Sequence, residues 1–87
     1  MDKIKECRKK IDLIDRRIVK LLLLRIKLAK IIGIYKKSKK LRIKDKKRES
    51  DILKNIGKYS NKSHQKFFKK IFGKIISYSK KLQRQSR

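Results

Sequence analysis

Among the five cations in the largely apolar run "IVKLLLLRIKLAKIIGIYK" (residues 18–36), Arg25 and Lys36 are the first residues of this chain that suggest chemistry. At about 100° per residue, one narrow helical stripe contains Arg25, Ala29, Ile32 and Lys36. Arg25 and Lys36 are then roughly 16 Å apart along the helix axis, with the small Ala29 between them. Long cationic side chains in this arrangement can converge on a small anion.

Polar residues also occur on the apolar faces of two later segments. One stripe of the last segment becomes polar towards its end: Phe72, Ile76, Ser79 and Gln83. In the middle segment, Asp45 and Glu49 lie four residues apart with Arg48 beside Glu49. Together with the cations, these groups could form one site for a small anion.

Each residue taken alone also has an ordinary structural interpretation. Arg25 can extend its head group to water, and Lys36 can be one solvated lysine among 23. Asp45 is suited to cap a helix, while Glu49 can pair with Arg48 or a nearby lysine at the surface. The joint arrangement favours a site, because isolated buried charges are costly without a partner.

Composition argues against several kinds of catalytic site. The chain has one histidine, His64, and one cysteine, Cys7, which gives no basis for assigning a histidine-based triad or a cluster of soft metal ligands. No glycine-rich phosphate-binding loop occurs. We therefore expect a site that works by positioning and fixed charge, without a metal, a cofactor or a covalent intermediate.

A heptad pattern predicts the helix that carries Arg25. Seam positions recur at alternating spacings of three and four: Ile4, Cys7, Ile11, Ile14, Ile18, Leu21, Arg25, Leu28, Ile32 and Tyr35. A helix over about 3–36 is roughly 50 Å long, which is too long for a compact domain of this size. We expect it to lie along a second chain, most simply a second copy of itself.

Two shorter helices complete a predicted all-α fold in a single domain, residues 1–87. The pattern is lost in "KKSKKLRI" (36–43), which predicts a loop. The second helix is predicted over about 45–59 with Asp45 as its N-cap, and the third over about 64–84 with Ser63 as its cap.

The positive charge allows more than one interpretation. The formal charge is +24, and 23 lysines outnumber 8 arginines. This density attracts any polyanion, but the lysines are scattered and sequence-reading nucleic-acid proteins rely on arginine. We expect at most non-specific binding to nucleic acid. Charges break every apolar run, so we predict no signal peptide or membrane span, and the lone cysteine favours a cytoplasmic location.

Three stretches together closely resemble the all-helical chorismate mutase family. They are "RKKIDLIDRRIVKLLLLRIKLAKIIGIYK", "IKDKKRESDIL" and "IFGKIISYSKKLQ", which extend over most of the chain. The resemblance implies an intertwined homodimer with three helices per chain, which rearranges chorismate to prephenate in phenylalanine and tyrosine synthesis. It assigns nine residues to each site: Arg8, Arg25, Ile32, Lys36, Asp45, Arg48, Glu49, Ser79 and Gln83.

The resemblance implies that two arginines hold the two carboxylates of chorismate, with Ser79 assisting. One is Arg25 and the other is Arg8 of the opposite chain. Independently of the resemblance, Arg8 lies roughly 25 Å from Arg25 along the helix, so one chain cannot bring both to a small ligand. We expect Lys36 and Gln83 to donate hydrogen bonds to the ether oxygen as negative charge grows there.

We further expect Glu49 to accept a hydrogen bond from the ring hydroxyl, assisted by the backbone near Asp45. Arg48 is expected to orient Glu49 or the substrate, and Ile32 to form an apolar wall. Three other interpretations stay open at this point. One is isochorismate pyruvate-lyase activity on the same scaffold, and another is a basic helical nucleic-acid-binding protein. The third is a purely structural helical dimer that kept the fold and lost the activity.

Overall fold

The computed structural model describes residues 2–85, so both ends of the predicted domain 1–87 lie outside the described residues. Helix α1 is Asp2–Ser38, α2 is Lys46–Tyr59 and α3 is Gln65–Gln85, and a 3-10 turn at Lys62–His64 precedes α3. No β-strand occurs within the described part of the chain. The prediction of an all-α fold with one very long first helix is confirmed.

The chain is elongated because α1 extends well beyond the other helices. Its Cα extents are 57 × 26 × 14 Å and its radius of gyration is 16.4 Å, whereas a compact domain of this length has about 12 Å. Helix α3 packs against both α1 and α2. The buried residues of α1, Ala29 and Gly33, lie in its C-terminal half, which is where α3 crosses it.

Small residues let α1 and α3 approach closely. Among residues 2–85 the buried apolar side chains are Ala29, Ile76 and Leu82. A Cβ atom added to Gly33 would lie 2.7 Å from both the Cα and the carbonyl oxygen of Gln83. The absence of a side chain at Gly33 therefore sets the distance between the two helices at the level of Gln83.

The connection from α1 to α2 ends in the predicted cap. Lys40 adopts a left-handed conformation with φ 54°, and the backbone N–H of Leu41 returns to the Lys36 carbonyl at 2.8 Å. Asp45 has extended backbone geometry, and its Oδ1 accepts a hydrogen bond from the backbone N–H of Arg48 at 3.0 Å. Asp45 is therefore the N-cap of α2, as predicted.

The predicted cap of the third helix was wrong. Ser63 lies inside the 3-10 turn, and the cap of that turn is Asn61, whose Oδ1 accepts from the backbone N–H of His64 at 3.1 Å. Because the chain enters α3 through this turn, the capping position falls two residues before the predicted one. Ser63 instead contacts Asn61 through its hydroxyl, with Oγ 3.1 Å from Oδ1.

The heptad seam of α1 is largely uncovered by its own chain. Its N-terminal half exposes large apolar side chains, from 48% for Ile18 to 65% for Leu21, and Cys7 is exposed as well. An exposed apolar seam of this length is typical of a helix face that contacts another surface. None of the helices within residues 2–85 combines the length and the apolarity needed to cross a membrane.

Candidate active site

A cleft of about 350 Å³ lies between the C-terminal half of α1, the start of α2 and the C-terminal half of α3. This volume is in the range of small-molecule sites. The cleft brings together most of the residues that were expected to form a site: Arg25, Ile32, Lys36, Asp45, Arg48, Glu49, Ser79 and Gln83. They come from all three helices and the connection before α2, so the cleft depends on the tertiary fold.

Arg8 is the one predicted site residue that the chain does not bring to this cleft. It is exposed on the N-terminal half of α1, roughly 25 Å along the helix axis from Arg25. A contribution of Arg8 to this cleft therefore requires a second chain.

Arg25 is half-buried and is held across the α1–α3 contact by Ser79. Its Nη1 donates to the Ser79 Oγ, and that hydroxyl donates in turn to the Ile75 carbonyl at 2.9 Å. The hydroxyl proton is thus used within α3, which leaves the oxygen lone pairs for the guanidinium. Ser79 acts on Arg25 in this arrangement by fixing its orientation.

The electrostatic environment of Arg25 favours an anion nearby. Burial lowers the pKa of Arg25 from its ordinary value, and the positive charge of Arg48 lowers this pKa further. An arginine nevertheless stays protonated in proteins. Both effects oppose the charged form of Arg25, so a negatively charged ligand in the cleft would offset them.

Lys36 is anchored to the loop that leads into α2. Its Nζ donates to the Ile43 carbonyl at 2.9 Å, and its side chain is only partly exposed. An ammonium group has three N–H donors, so two remain for a ligand in the cleft. The Ile43 carbonyl therefore fixes the position of this cation.

Glu49 lines the cleft from α2 and forms an ion pair with Lys80 of α3. Lys80 Nζ is 3.4 Å from Glu49 Oε1. The second oxygen, Oε2, is buried and has no hydrogen-bond partner within residues 2–85. Buried polar atoms are rarely left unpaired in native proteins, so this oxygen is available to accept a hydrogen bond from a ligand.

Gln83 has a similar unpaired atom. Its Oε1 is buried without a hydrogen-bond partner among the described residues, and its backbone lies directly against Gly33. Rotating the amide by half a turn exchanges Oε1 for Nε2, so the same position can present a donor to a ligand. Gln83 can therefore interact with an oxygen atom in the cleft.

The remaining predicted residues frame the entrance and the wall. The Asp45 carboxylate caps α2, while the Arg48 side chain is exposed at the cleft. Ile32 and the buried Ile76 contribute apolar surface. The cleft thus combines apolar walls with an excess of cations, since Arg25, Lys36, Arg48 and Lys80 face only Asp45 and Glu49.

Comparison with known proteins identifies the family. The profile of the family described as chorismate mutase type II matches residues 7–84. The chain belongs to this family. A comparison with curated proteins finds no match. Among solved structures, the chain is similar to a conserved hypothetical protein from Pyrococcus furiosus, with a TM-score of 0.82 and 38% identity over 95% of this chain and 97% of that chain.

Sequence analysis of this chorismate mutase type II family member missed three contributors to the cleft. Lys80 is one of 23 lysines, and its only sequence signal is its spacing, four residues after Ile76 and three before Gln83, which places it on the same face of α3. Ile43 acts through its backbone carbonyl, which no side-chain pattern reports. Gly33 acts through the side chain that it lacks.

Proposed function

We propose that this protein is a chorismate mutase, which isomerises chorismate to prephenate. The observation that carries the proposal is that Arg25 and Lys36 line the same cleft as Glu49 and Gln83, each of which has a buried polar atom without a hydrogen-bond partner within residues 2–85. Chorismate carries two carboxylates, a ring hydroxyl and an ether oxygen, so its groups match the charges and hydrogen-bonding atoms of the cleft. Membership of the chorismate mutase type II family supports the same substrate.

The reaction requires little of the protein beyond orientation. The rearrangement is a unimolecular pericyclic step in which the ether C–O bond breaks, a C–C bond forms and no proton is transferred. Holding the enolpyruvyl arm over the ring in the reactive conformer supplies a large part of the acceleration. Arg25, which Ser79 holds in place, binds one carboxylate of chorismate, and Arg8 of the partner subunit binds the other.

Electrostatic stabilisation of the transition state supplies the rest. Negative charge grows on the ether oxygen as its bond lengthens, and donors fixed near that oxygen lower the barrier. Lys36 and the amide of Gln83 donate to it, while Glu49 accepts a hydrogen bond from the ring hydroxyl. Arg48 and the backbone around Asp45 help to orient this end of the substrate, and Ile32 bounds the apolar side.

The proposed active unit is an intertwined homodimer. The exposed apolar seam of α1 supports it, and an antiparallel second copy of α1 would carry its own Arg8 towards this cleft. We propose that the enzyme acts in the cytoplasm in the synthesis of phenylalanine and tyrosine, and that it needs no cofactor.

The direct test is to incubate the purified protein with chorismate and to follow the loss of diene absorbance together with the formation of prephenate. We expect turnover that Arg25→Ala largely removes and that Lys74→Ala, a change at an exposed lysine of α3, leaves intact. Turnover of isochorismate alone, with release of pyruvate, would instead assign a pyruvate-lyase. Salt-sensitive binding to DNA or RNA without turnover of chorismate would assign a nucleic-acid-binding protein.

A further inference from the structure

We infer that Lys80 is a positioning residue of this cleft, which holds the Glu49 carboxylate so that its second oxygen faces the bound ligand. The inference rests on the proposed function and adds a residue that the family resemblance did not assign. Lys80 and Glu49 form an ion pair that joins α3 to α2, and both residues line the cleft.

Lys80 contacts one of the two carboxylate oxygens of Glu49. Lys80 Nζ lies 3.4 Å from Glu49 Oε1, and the two side chains are 23% and 28% exposed, respectively. Glu49 Oε2 is buried without a hydrogen-bond partner in the described part of the chain. Since both residues line the cleft, Lys80 fixes the rotation of the carboxylate and Oε2 is the oxygen left to accept from a ligand.

The position of Lys80 on α3 makes this role specific. It follows Ile76, whose side chain is buried, by one helical turn and precedes Gln83 by three residues, so all three side chains share one face. The neighbouring Lys81 is exposed and is turned by about 100° around the helix. Of these two adjacent lysines, only Lys80 lines the cleft.

Lys80 also compensates the negative charge of Glu49 in the cleft. A carboxylate without a counter-ion would repel a dianionic ligand and would be costly to enclose. Pairing with Lys80 neutralises Glu49, so the field of Arg25 and Lys36 remains available to the ligand carboxylates. Glu49 can then serve as an acceptor without weakening the attraction of the cleft for an anion.

The test compares the kinetics of Lys80→Met with those of Lys81→Met, using chorismate as substrate. Methionine keeps an unbranched apolar stem and removes the ammonium group. We expect Lys80→Met to lower kcat/KM by roughly tenfold, the size of a typical coupling between contacting groups. Lys80→Arg should recover most of this loss, and Lys81→Met should match the parent chain.

A second comparison separates positioning from simple structural support. In a Glu49→Gln background, which lacks the carboxylate, Lys80→Met should cause little further loss. An equal loss in both backgrounds would overturn the inference, as would parent-like kinetics of Lys80→Met. Lys80→Gln provides a second neutral variant if Lys80→Met does not give the far-UV dichroism of the parent. Absence of turnover by the parent chain would instead contradict the proposed function, and the inference with it.

Discussion

At the scale of single residues, the cleft fixes its cations through short contacts to atoms that are themselves constrained. Arg25 is held by a hydroxyl whose own proton is committed to the Ile75 carbonyl, and Lys36 is held by the Ile43 carbonyl. A long cationic side chain loses rotamer freedom when it binds a ligand. Because these contacts already restrict the two cations, less of that entropy remains to be lost on binding.

Lys36→Ala is predicted to lower kcat for chorismate roughly a hundredfold to a thousandfold, because it removes a preorganised donor to the developing charge. This corresponds to a loss of about 3–4 kcal/mol of transition-state stabilisation. Steady-state kinetics would measure the change. Lys37→Ala is the matched control, since it removes an equal charge from the adjacent, exposed position of α1. Near-normal turnover of Lys36→Ala would remove this residue from the mechanism.

Gln83 is predicted to keep the reaction rate nearly independent of pH between about 5 and about 8, because an amide donates a hydrogen bond in any protonation state. Gln83→Glu is predicted to make the reaction rate depend on pH. A carboxyl group donates only while protonated, so the variant should be active at low pH and lose activity as pH rises through its carboxyl pKa. The midpoint of that loss measures the balance between burial, which raises the carboxyl pKa, and the cations of the cleft, which lower it.

Profiles of kcat against pH for both proteins check this prediction. A steep fall in the parent protein across that range would show that the Gln83 amide is not the donor that matters.

Residue patterns predict which residues line the cleft better than they predict the contacts between those residues. Arg25 and Lys36 could be predicted as site residues because each is a cation on an otherwise apolar face of a predicted helix. Lys80 could not, because its partner Glu49 is 31 positions away in the chain and nothing local distinguishes it from other lysines. Contacts between distant segments depend on how the helices cross, and a single sequence does not specify the crossing.

At the scale of helices, the geometry of the cleft depends on the contact between α1 and α3. Gly33 lies against the backbone of Gln83, so the residue proposed to donate to the ether oxygen is placed by this crossing. The neighbouring Ala29 is also small and buried. Two small residues one turn apart let the helix axes approach, which brings Ser79 within reach of Arg25.

Gly33→Ala is predicted to destabilise the fold despite the higher helix propensity of alanine. The new Cβ would lie 2.7 Å from backbone atoms of α3, and overpacking of this kind costs about 1–3 kcal/mol. Gly73→Ala is the matched control, because apart from its two chain neighbours and the nearby backbone of α3, no described atom lies within 4 Å of its new Cβ. That variant should gain about 0.5–1 kcal/mol from propensity alone.

Urea unfolding followed by circular dichroism measures both changes. An increase in the stability of Gly33→Ala equal to that of Gly73→Ala would show that the helices are not in close contact at this point. A fall in kcat of Gly33→Ala beyond its loss of folded protein would link the crossing to the position of Gln83.

The two helix caps show which structural features a short stretch of sequence can predict. The cap at Asp45 was predictable because the interaction involves only the next three residues. The error at Ser63 arose because the chain forms a 3-10 turn before α3, and Asn61 and Ser63 are both capable caps. Local preference does not distinguish between them, so the sequence alone could not specify which of the two is the cap.

At the scale of the whole molecule, one chain is elongated and leaves a long apolar seam exposed. Its radius of gyration of 16.4 Å and the exposed apolar seam of α1 are typical of a helix that is covered by another chain. The heptad pattern predicts from the sequence that a second chain covers this seam, and it does not specify the relative direction of two copies. The formal charge of +24 per chain opposes association, so we expect the dimer to be tighter at moderate salt than at low salt.

Mixing two inactive variants tests whether Arg8 acts across the dimer. In homodimers of Arg8→Ala or of Lys36→Ala, both sites are defective. In a mixed dimer, one site receives an intact Arg8 from one chain and an intact Lys36 from the other, while the second site lacks both. Random pairing of equal amounts should therefore restore about a quarter of the parent activity, since about half of the dimers are mixed.

The chains would be mixed in urea, refolded together at moderate salt and assayed with chorismate. Arg25→Ala mixed with Lys36→Ala is the control, because both residues lie on the same chain's side of the cleft and every site keeps one defect. Recovery in the first mixture and none in the second requires that Arg8 reaches the cleft of its partner. If neither mixture recovers although sedimentation shows dimers, Arg8 acts within its own chain or not at all, and the proposed active unit is wrong.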